Sequence, residues 1–199
     1  TQLNYINKAA LLGVPIASGQ SLNGIEIGPE MLRRRGLSQY INDLRYDMID
    51  LGDLKVIAPH LDDPISLTEC GKVIKNAYSV GETTRKLFMK SSALFSAGRL
   101  PIILGGDHSL SIGSVAAALH ANADVGVLWI DAHADLHTPE TSPSMNIHGM
   151  PLSFLMGLSH PNDIVGFEWM NCSTYSIPKL RPERLVYIGL RDVDYAERI

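Results

Sequence analysis

Five short aliphatic runs recur along this chain, and stretches with helical spacing lie between them. The runs cover residues 9–16, 46–51, 101–104, 125–130 and 185–190. Several of them lack polar–apolar alternation, which is typical of strands with both faces covered in a parallel sheet. Helices are predicted over residues 29–35, 68–97, 111–121 and 151–156. Strands that alternate with helices predict an α/β domain, a three-layer αβα sandwich with a mainly parallel sheet.

One domain is expected to span residues 1–199, because no linker, repeat or low-complexity tract interrupts the pattern. Hydrophobic residues make up 45% of the chain and charged residues 19%, as in ordinary globular proteins. The net charge of −4 gives no sign of a nucleic-acid surface. No apolar run reaches the roughly 20 residues that span a bilayer, so no membrane partner is expected. The two cysteines form no Cys-x-x-Cys pattern, which favours a reducing compartment such as the cytoplasm, with the mitochondrion as an alternative.

Alternating acidic and imidazole side chains directly follow the run at residues 125–130. Asp131, His133 and Asp135 are spaced two residues apart, so in an extended chain they point to the same side. Carboxylates crowded beside an imidazole would lose hydration and repel unless a cation lay between them. Oxygen ligands with some imidazole favour Mn²⁺ or a related divalent ion, with Zn²⁺ and Fe²⁺ as alternatives. The other interpretation is an exposed polar loop without a metal.

A second unusual segment, LGGDHS at residues 104–109, follows the run at residues 101–104. Its two adjacent glycines allow a tight turn from strand to helix. If the strands at 101–104 and 125–130 are neighbours, as consecutive strands usually are, His108 reaches the same sheet edge and becomes a fourth metal ligand. Taken alone, His108 would more often be a loop histidine that makes a hydrogen bond.

Motifs across nearly the whole chain resemble those of the arginases, within the ureohydrolase family. They read GVPIASGQSLNGIEIGPEMLR, GGDHSLSIGS, WIDAHADLHTPETS, NIHGMPLSFLMG and YIGLRDVD. The resemblance implies an arginase-like fold, a two-manganese centre, and hydrolysis of L-arginine to L-ornithine and urea in arginine catabolism and the urea cycle. It also implies a homo-oligomer, a trimer.

The family's remaining metal ligands come from a downstream S-x-D-x-D-G-x-D-P segment, which residues 1–199 do not contain. The chain is therefore expected to be the N-terminal two-thirds of the family domain, truncated at its C-terminus. Alone, it is expected to bind metal weakly and to show little or no turnover.

Carried over residue by residue, the resemblance assigns a metal ligand set. His108 and Asp135 bind one manganese ion, His133 binds the other, and Asp131 bridges the two. A metal-bridging hydroxide would attack the guanidinium carbon of the substrate. His148 would act as the proton shuttle, a role that suits an imidazole because it can both accept and donate a proton. Without the resemblance, His148 could equally be a loop histidine.

The resemblance also assigns contacts to the amino-acid end of the substrate. Ser144 contacts the α-carboxylate, and Asn146 lies in the same binding segment. Asp194 contacts the α-amino group, with Glu197 as a weaker, water-mediated contact. An acidic side chain suits an ammonium group, as hydroxyl and amide donors suit a carboxylate. Considered by itself, Asp194 could equally be a turn or helix-cap residue.

Two positions depart from the family pattern, and both bear on the preference for arginine. His137 stands where arginases carry an asparagine that donates to the α-carboxylate; it remains a predicted substrate contact because histidine also donates. Met145 stands where a glycine is usual. A glycine in a loop often marks a positive φ, which costs a side chain about 1–2 kcal/mol.

Two alternative functions stay open at this point. An agmatinase-like amidinohydrolase would use the same metal chemistry on a substrate without an α-carboxylate. Ser144, Asn146 and Asp194 argue against it, whereas His137 is compatible with it. A non-catalytic paralogue or truncated product, acting as a partner in an oligomer, is the other alternative.

Overall fold

A computed structural model of the chain describes residues 7–198. The α-helices are α1 (Gly28–Arg34), α2 (Leu37–Asp43), α3 (Ala77–Ser96), α4 (Ser111–Ala121) and α5 (Pro151–Met156). The strands are β1 (Lys8–Val14), β2 (Asp47–Asp53), β3 (Ser66–Leu67), β4 (Val73–Ile74), β5 (Leu100–Gly105), β6 (Val127–Ile130) and β7 (Leu185–Ile188). Each of the five predicted strands is present, although several bounds shift by one or two residues. Helix α2 was not predicted.

The longer strands pair in parallel, as the sequence predicts. β1 is the middle strand of a three-stranded sheet ordered β2–β1–β5. β6 and β7 form a second parallel pair, and β3 and β4 form a short antiparallel hairpin. β1 is buried from its second residue onwards, which confirms that its unbroken apolar run is covered on both faces.

The prediction that the strands at 101–104 and 125–130 are neighbours is wrong for the described chain. β5 pairs with β1 over six residues, from Leu100 to Gly105, and β6 pairs with β7. No hydrogen-bonded ladder joins β5 to β6 in residues 7–198. The tendency of consecutive strands to pair is statistical, and here strands distant in sequence, β1 for β5 and β7 for β6, supply the ladder hydrogen bonds instead.

One face of the β6–β7 pair is exposed, so these two strands are not covered on both faces as predicted. Leu128 lies beside Val186, and Ile130 beside Ile188, and all four side chains are exposed. The physical reason is that nothing within residues 7–198 packs on this face. The lack of polar–apolar alternation therefore predicted correctly that these segments are strands. It predicted wrongly that both faces of the β6–β7 pair are buried.

Helix α3 begins at Ala77, and the prediction that it begins near residue 68 is wrong. Residues 66–74 instead form the β3–β4 hairpin, in which Thr68 N–H donates to the carbonyl of Lys72 at 2.9 Å. Asn76, with φ 53°, holds the left-handed conformation just before the helix. The expected stop at the other end is confirmed, because α3 ends at Ser96 and Gly98 has φ 67°.

The largest core lies between the sheets and the helix pair α3–α4. The two helices approach so closely that a Cβ at Gly113 would lie 2.3 Å from the carbonyl oxygen of Thr84. Leu87, Phe88 and Ile112 are at most 1% exposed. Close packing of this kind holds the strand ends rigidly, and the candidate site lies at those ends. Among the described helices, none has both the length and the apolar character needed to cross a membrane.

Candidate metal and substrate site

A cavity of about 700 Å³ opens at the carboxyl ends of the parallel strands. Its walls come from the four loops that follow β1, β5, β6 and β7. Ligands commonly bind at this end of parallel α/β sheets, where the loops leave the strands. All of the predicted site residues except Asn146 line the cavity: His108, Asp131, His133, Asp135, His137, Ser144, His148, Asp194 and Glu197.

His108, Asp131 and Asp135 form a tight cluster in one wall of the cavity. The Nδ1 atom of His108 lies 3.0 Å from Asp131 Oδ2 and 2.6 Å from Asp135 Oδ2. One ligand atom from each residue lies within 4.8 Å of the others, a spacing that a single metal ion could occupy. The predicted proximity of His108 to the acidic residues therefore exists, although β5 and β6 are not paired.

Asp131 presents its two carboxylate oxygens to different imidazoles. Oδ2 faces His108, whereas Oδ1 lies 3.3 Å from His133 Nδ1 and accepts the backbone N–H of His133 at 2.9 Å. His133 also approaches Asp192, with 3.5 Å between Nε2 and Oδ2. A carboxylate with one oxygen on each side has the donor geometry of a bridging ligand.

Local hydrogen bonds hold the loop after β6 in this arrangement. Asp131 N–H donates to the carbonyl of Ile188, and the hydroxyl of Tyr187 donates to the carbonyl of Ala134 at 2.8 Å. Burial, together with the charges of Asp135 and Glu197, raises the pKa of Tyr187 to about 12. Tyr187 is consequently a neutral hydrogen-bond donor at physiological pH.

The Asp135 carboxylate shows features of a side chain prepared for a cation. Its Oδ2 atom is buried and, although close to His108, accepts no well-directed hydrogen bond within residues 7–198. Asp135 also has φ 51°, a left-handed conformation that costs a non-glycine residue energy and that clusters at functional sites. A buried carboxylate oxygen without a donor beside an imidazole fits a hard or borderline divalent ion.

Electrostatics within the cluster couple His108 to its acidic neighbours. Burial lowers the pKa of His108, but the adjacent carboxylates of Asp135, Asp131 and Asp107 outweigh burial, so its pKa is raised. Burial raises the pKa of Asp131, but the backbone N–H of His133 and the two imidazoles outweigh it, so its pKa is lowered. The carboxylates therefore favour a positive charge at this position.

His137, Asp194 and Glu197 form a second cluster, at the side of the cavity formed by the loop after β7. His137 Nε2 lies 2.9 Å from Asp194 Oδ2 and 3.8 Å from Glu197 Oε2. Both oxygens of Glu197 accept backbone hydrogen bonds: Oε1 accepts Leu136 N–H and Oε2 accepts Asp194 N–H. The sequence placed each of these residues in the site but did not predict the direct contact between His137 and Asp194.

The loop from residue 137 to 150 carries the remaining predicted residues. His148 faces the cavity, and its backbone N–H donates to the carbonyl of Gly19 at 3.0 Å. Ser144 Oγ accepts the backbone N–H of Asn146 at 3.2 Å. The side chain of Asn146 is not in the cavity wall; its Oδ1 atom accepts a hydrogen bond from Ser21 Oγ.

Met145 has φ 58°, which confirms the positive φ expected at this position. Its side chain is only 6% exposed, so burial offsets part of the backbone cost. The backbone is held on both sides, because Met145 N–H donates to Ser142 Oγ and the Met145 carbonyl accepts Lys75 N–H.

Sequence reasoning missed two residues that support the metal cluster. Asp107 is 2% exposed and accepts hydrogen bonds from the backbone of Gly19 and Ser109. Trp129 stacks on His108, with 4.5 Å between the ring centroids and 27° between the planes. Asp107 could have been noticed as a buried acid next to a metal ligand. The position of Trp129 before Asp131 carries no local signal for stacking.

Comparison with protein families matches residues 7–199 to a model described as the Arginase family. Arginase-1 from Homo sapiens is 38% identical over 189 residues, which cover 94% of this chain but only 55% of that protein. The chain thus spans about half the length of this curated relative.

Solved structures with the same fold include two arginases. The structure from Bacillus caldovelox has a TM-score of 0.82 and 36% identity, covering 97% of this chain and 61% of that one. The arginase from Entamoeba histolytica, solved in complex with L-ornithine, has a TM-score of 0.77 and 30% identity, covering 96% of this chain and 61% of that one. These neighbours confirm the predicted arginase-like α/β fold.

A putative agmatinase from Clostridium difficile is similar in fold alone, with a TM-score of 0.61 and 18% identity; it covers 98% of this chain and 59% of that one.

Proposed function

The chain belongs to the arginase family, and we propose that its natural full-length protein is a manganese-dependent arginase that hydrolyses L-arginine to L-ornithine and urea. The observation that carries this proposal is the convergence of His108, Asp131 and Asp135 at one wall of a cavity that also contains a separate polar cluster. L-Arginine needs both clusters, because a metal must activate water at its guanidinium end and polar side chains must bind its charged amino-acid end. The oxygen-rich donor set and the family support manganese as the metal in this proposal.

In this proposal two divalent cations share the ligands at the end of β6. His108 and Asp135 would hold one ion and His133 the other, with Asp131 as a ligand shared by both. When bound, such a pair of ions supplies a water activated for attack at neutral pH. That help is needed because the substrate guanidinium is delocalised and stays protonated, which makes its carbon a poor electrophile.

His148 is proposed to transfer the proton that the leaving nitrogen of ornithine requires. Cleavage of the guanidinium C–N bond releases ornithine as an amine, so the leaving nitrogen must gain a proton as the bond breaks. His148 lines the cavity, and the hydrogen bond from its backbone to Gly19 fixes its position. An imidazole titrates near neutral pH and can therefore both give and regain a proton during turnover.

The far end of the substrate is proposed to contact the loops that carry Ser144 and Asp194. The Ser144 hydroxyl suits the α-carboxylate, and Asp194 is an acidic group that can face the α-ammonium. Asn146 stabilises its loop, because its Oδ1 atom accepts a hydrogen bond from Ser21 Oγ and its backbone N–H donates to Ser144 Oγ. Glu197 stabilises the position of Asp194 by accepting its backbone N–H. A substrate with both groups fits this set better than agmatine, which lacks the carboxylate.

The described chain supplies only part of the metal ligand set implied by the family. We therefore propose that residues 1–199 alone turn over arginine slowly or not at all. By the same family relationship we propose a homotrimer in the cytoplasm, which light scattering of the purified protein and fractionation of its source cells would test.

Urea release tests the proposed activity directly. The natural full-length protein, reconstituted with Mn²⁺, is expected to release urea from L-arginine and far less from agmatine, and chelation of the metal should abolish the reaction. His148→Asn is expected to lower kcat by about 10²–10⁴-fold, the usual contribution of a proton-transfer residue. His160→Asn, the same substitution at an exposed histidine outside the cavity, should leave kcat unchanged. Bound Mn²⁺ without urea release from arginine would refute the proposal.

A further inference from the structure

The cavity contains few carboxylates free to bind a substrate ammonium. Asp107 is buried, with its oxygens engaged by Gly19 and Ser109. Both oxygens of Glu197 accept backbone N–H groups, and its side chain is 5% exposed. Among the described residues lining the cavity, the carboxylates of Asp192 and Asp194 remain once Asp107, Glu197 and the metal cluster are set aside. Asp192 lies on the metal side of the cavity, with its Oδ2 atom 3.5 Å from His133 Nε2.

One carboxylate oxygen of Asp194 is held by His137, although the Asp194 side chain is 59% exposed. The contact joins His137 Nε2 to Asp194 Oδ2 at 2.9 Å. An ionised carboxylate can only accept, so the imidazole nitrogen is the donor in this hydrogen bond. His137 is itself fixed, since it is 9% exposed and its Nδ1 atom lies 3.2 Å from Thr141 Oγ1. A substrate ammonium must therefore share the Asp194 carboxylate with a buried, preorganised donor, which weakens the attraction of that carboxylate for the ammonium.

We propose, resting on the proposed function, that His137 is a specificity-determining residue that weakens the preference of the site for substrates with an α-ammonium group. The site then accepts guanidino carboxylic acids that lack this group, such as 5-guanidinopentanoate, about as well as L-arginine. In the reaction, water adds to the guanidino carbon, the bond from that carbon to the chain nitrogen breaks, and that nitrogen takes a proton. The products are urea and 5-aminopentanoate, so no further reactant is required.

Replacement of His137 by asparagine separates this role from a structural one. Asparagine has the shorter side chain, so it releases Asp194 for the ammonium of the ligand. A hydrogen bond to a charged group is commonly worth tenfold or more in affinity, so His137→Asn should strengthen binding of L-ornithine about tenfold. Binding of 5-aminopentanoate, which is ornithine without the α-amino group, should change little.

The test measures both ligands by isothermal titration calorimetry on the natural full-length, Mn²⁺-loaded protein. The wild-type protein should bind L-ornithine and 5-aminopentanoate with similar Kd values, and His137→Asn should prefer ornithine about tenfold. His137→Ala provides a second variant if the first fails to fold, and His160→Asn is the matched control. A wild-type protein that already prefers ornithine strongly, or a ratio that neither variant changes, would overturn the inference.

Urea release distinguishes this inference from the proposed function. Absence of urea from L-arginine refutes the arginase activity, yet the ratio of the two ligand affinities still decides the role of His137. If arginine is hydrolysed, similar kcat/KM values for arginine and 5-guanidinopentanoate support the inference. A large excess for arginine in the wild-type protein contradicts it.

Discussion

The buried carboxylate of Asp107 accepts a hydrogen bond of 2.8 Å from the backbone N–H of Gly19. The carbonyl of Gly19 in turn accepts the backbone N–H of His148 at 3.0 Å. Gly19 thus joins the loop that precedes His108 to the loop that carries His148. The metal cluster and the candidate proton shuttle are held in a fixed relation by this one residue.

Substitution of Gly19 should disturb this relation. A Cβ at Gly19 would lie 2.4 Å from Asp107 Oδ1 and 2.6 Å from Ser109 Oγ, so Gly19→Ala requires the buried pair to shift. We expect a loss of about 1–3 kcal/mol in the free energy of unfolding, as in other overpacked sites. Urea denaturation measures this loss. Gly126→Ala is the control, because its Cβ would meet only the Arg184 carbonyl at 3.6 Å. Equal stability of the two variants would contradict the packing described here.

Trp129 should influence metal affinity through its stacking on His108. An aromatic pair contributes about 0.5–1.5 kcal/mol beyond burial, so Trp129→Leu should weaken Mn²⁺ binding about two- to tenfold. Trp169→Leu is the matched control, since Trp169 is similarly buried but stacks on Phe88. Both variants lose core packing, but only the first should change the Kd for Mn²⁺ measured by calorimetry. Equal Kd values in the two variants would rule out an orienting role for Trp129.

Two substitutions at Met145 measure the backbone cost of its positive φ. Both remove a buried side chain, and cavity formation commonly costs about 2–5 kcal/mol. Only Met145→Gly also relieves the left-handed conformation, so it should be more stable than Met145→Ala by about 1 kcal/mol. In most positions the order is reversed, because glycine loses more backbone entropy on folding. Chemical denaturation that ranks alanine above glycine here would show that φ 58° is not strained.

The metal-free protein should lose stability as the pH rises above 6.5, the ordinary pKa of histidine. The pKa of His108 is raised above its ordinary value of 6.5 in the folded state by the neighbouring carboxylates, despite burial. The stabilisation by this proton is fully present below pH 6.5 and is lost as the pH rises through the raised pKa. His108→Asn should flatten this part of the stability profile, whereas His160→Asn should not. Thermal unfolding across this range, in the presence of a chelator, provides the measurement.

The metal cluster could be predicted because much of its information is local. Asp131, His133 and Asp135 directly follow one strand, so they leave the sheet at the same edge, although the segment bends and Asp135 has φ 51°. The contact between His137 and Asp194 could not be predicted in the same way. It joins residues 57 positions apart, and its geometry depends on how the loop after β7 folds back against the loop after β6.

The predicted fold was wrong where one local sequence pattern is compatible with two different local structures. The apolar residues Val73 and Ile74 match helical spacing, yet they pair with β3 in a hairpin. Similarly, β6 reads as a strand covered on both faces, yet Leu128 and Ile130 are exposed in the described chain. Periodicity reports which side chains are apolar, whereas their partners depend on contacts distant in sequence.

Manganese binding by the natural full-length protein tests the central claim most directly, because Asp131 is proposed to bridge both ions. Elemental analysis after equilibrium dialysis should find about two Mn²⁺ ions per chain in the wild-type protein, the number in a two-metal site. Asp131→Asn, which retains the shape of the side chain but removes its charge, should bind Mn²⁺ at least tenfold more weakly. Asp62→Asn, at an exposed aspartate outside the cavity, should bind as the wild type does. Unchanged manganese binding by Asp131→Asn would contradict the account.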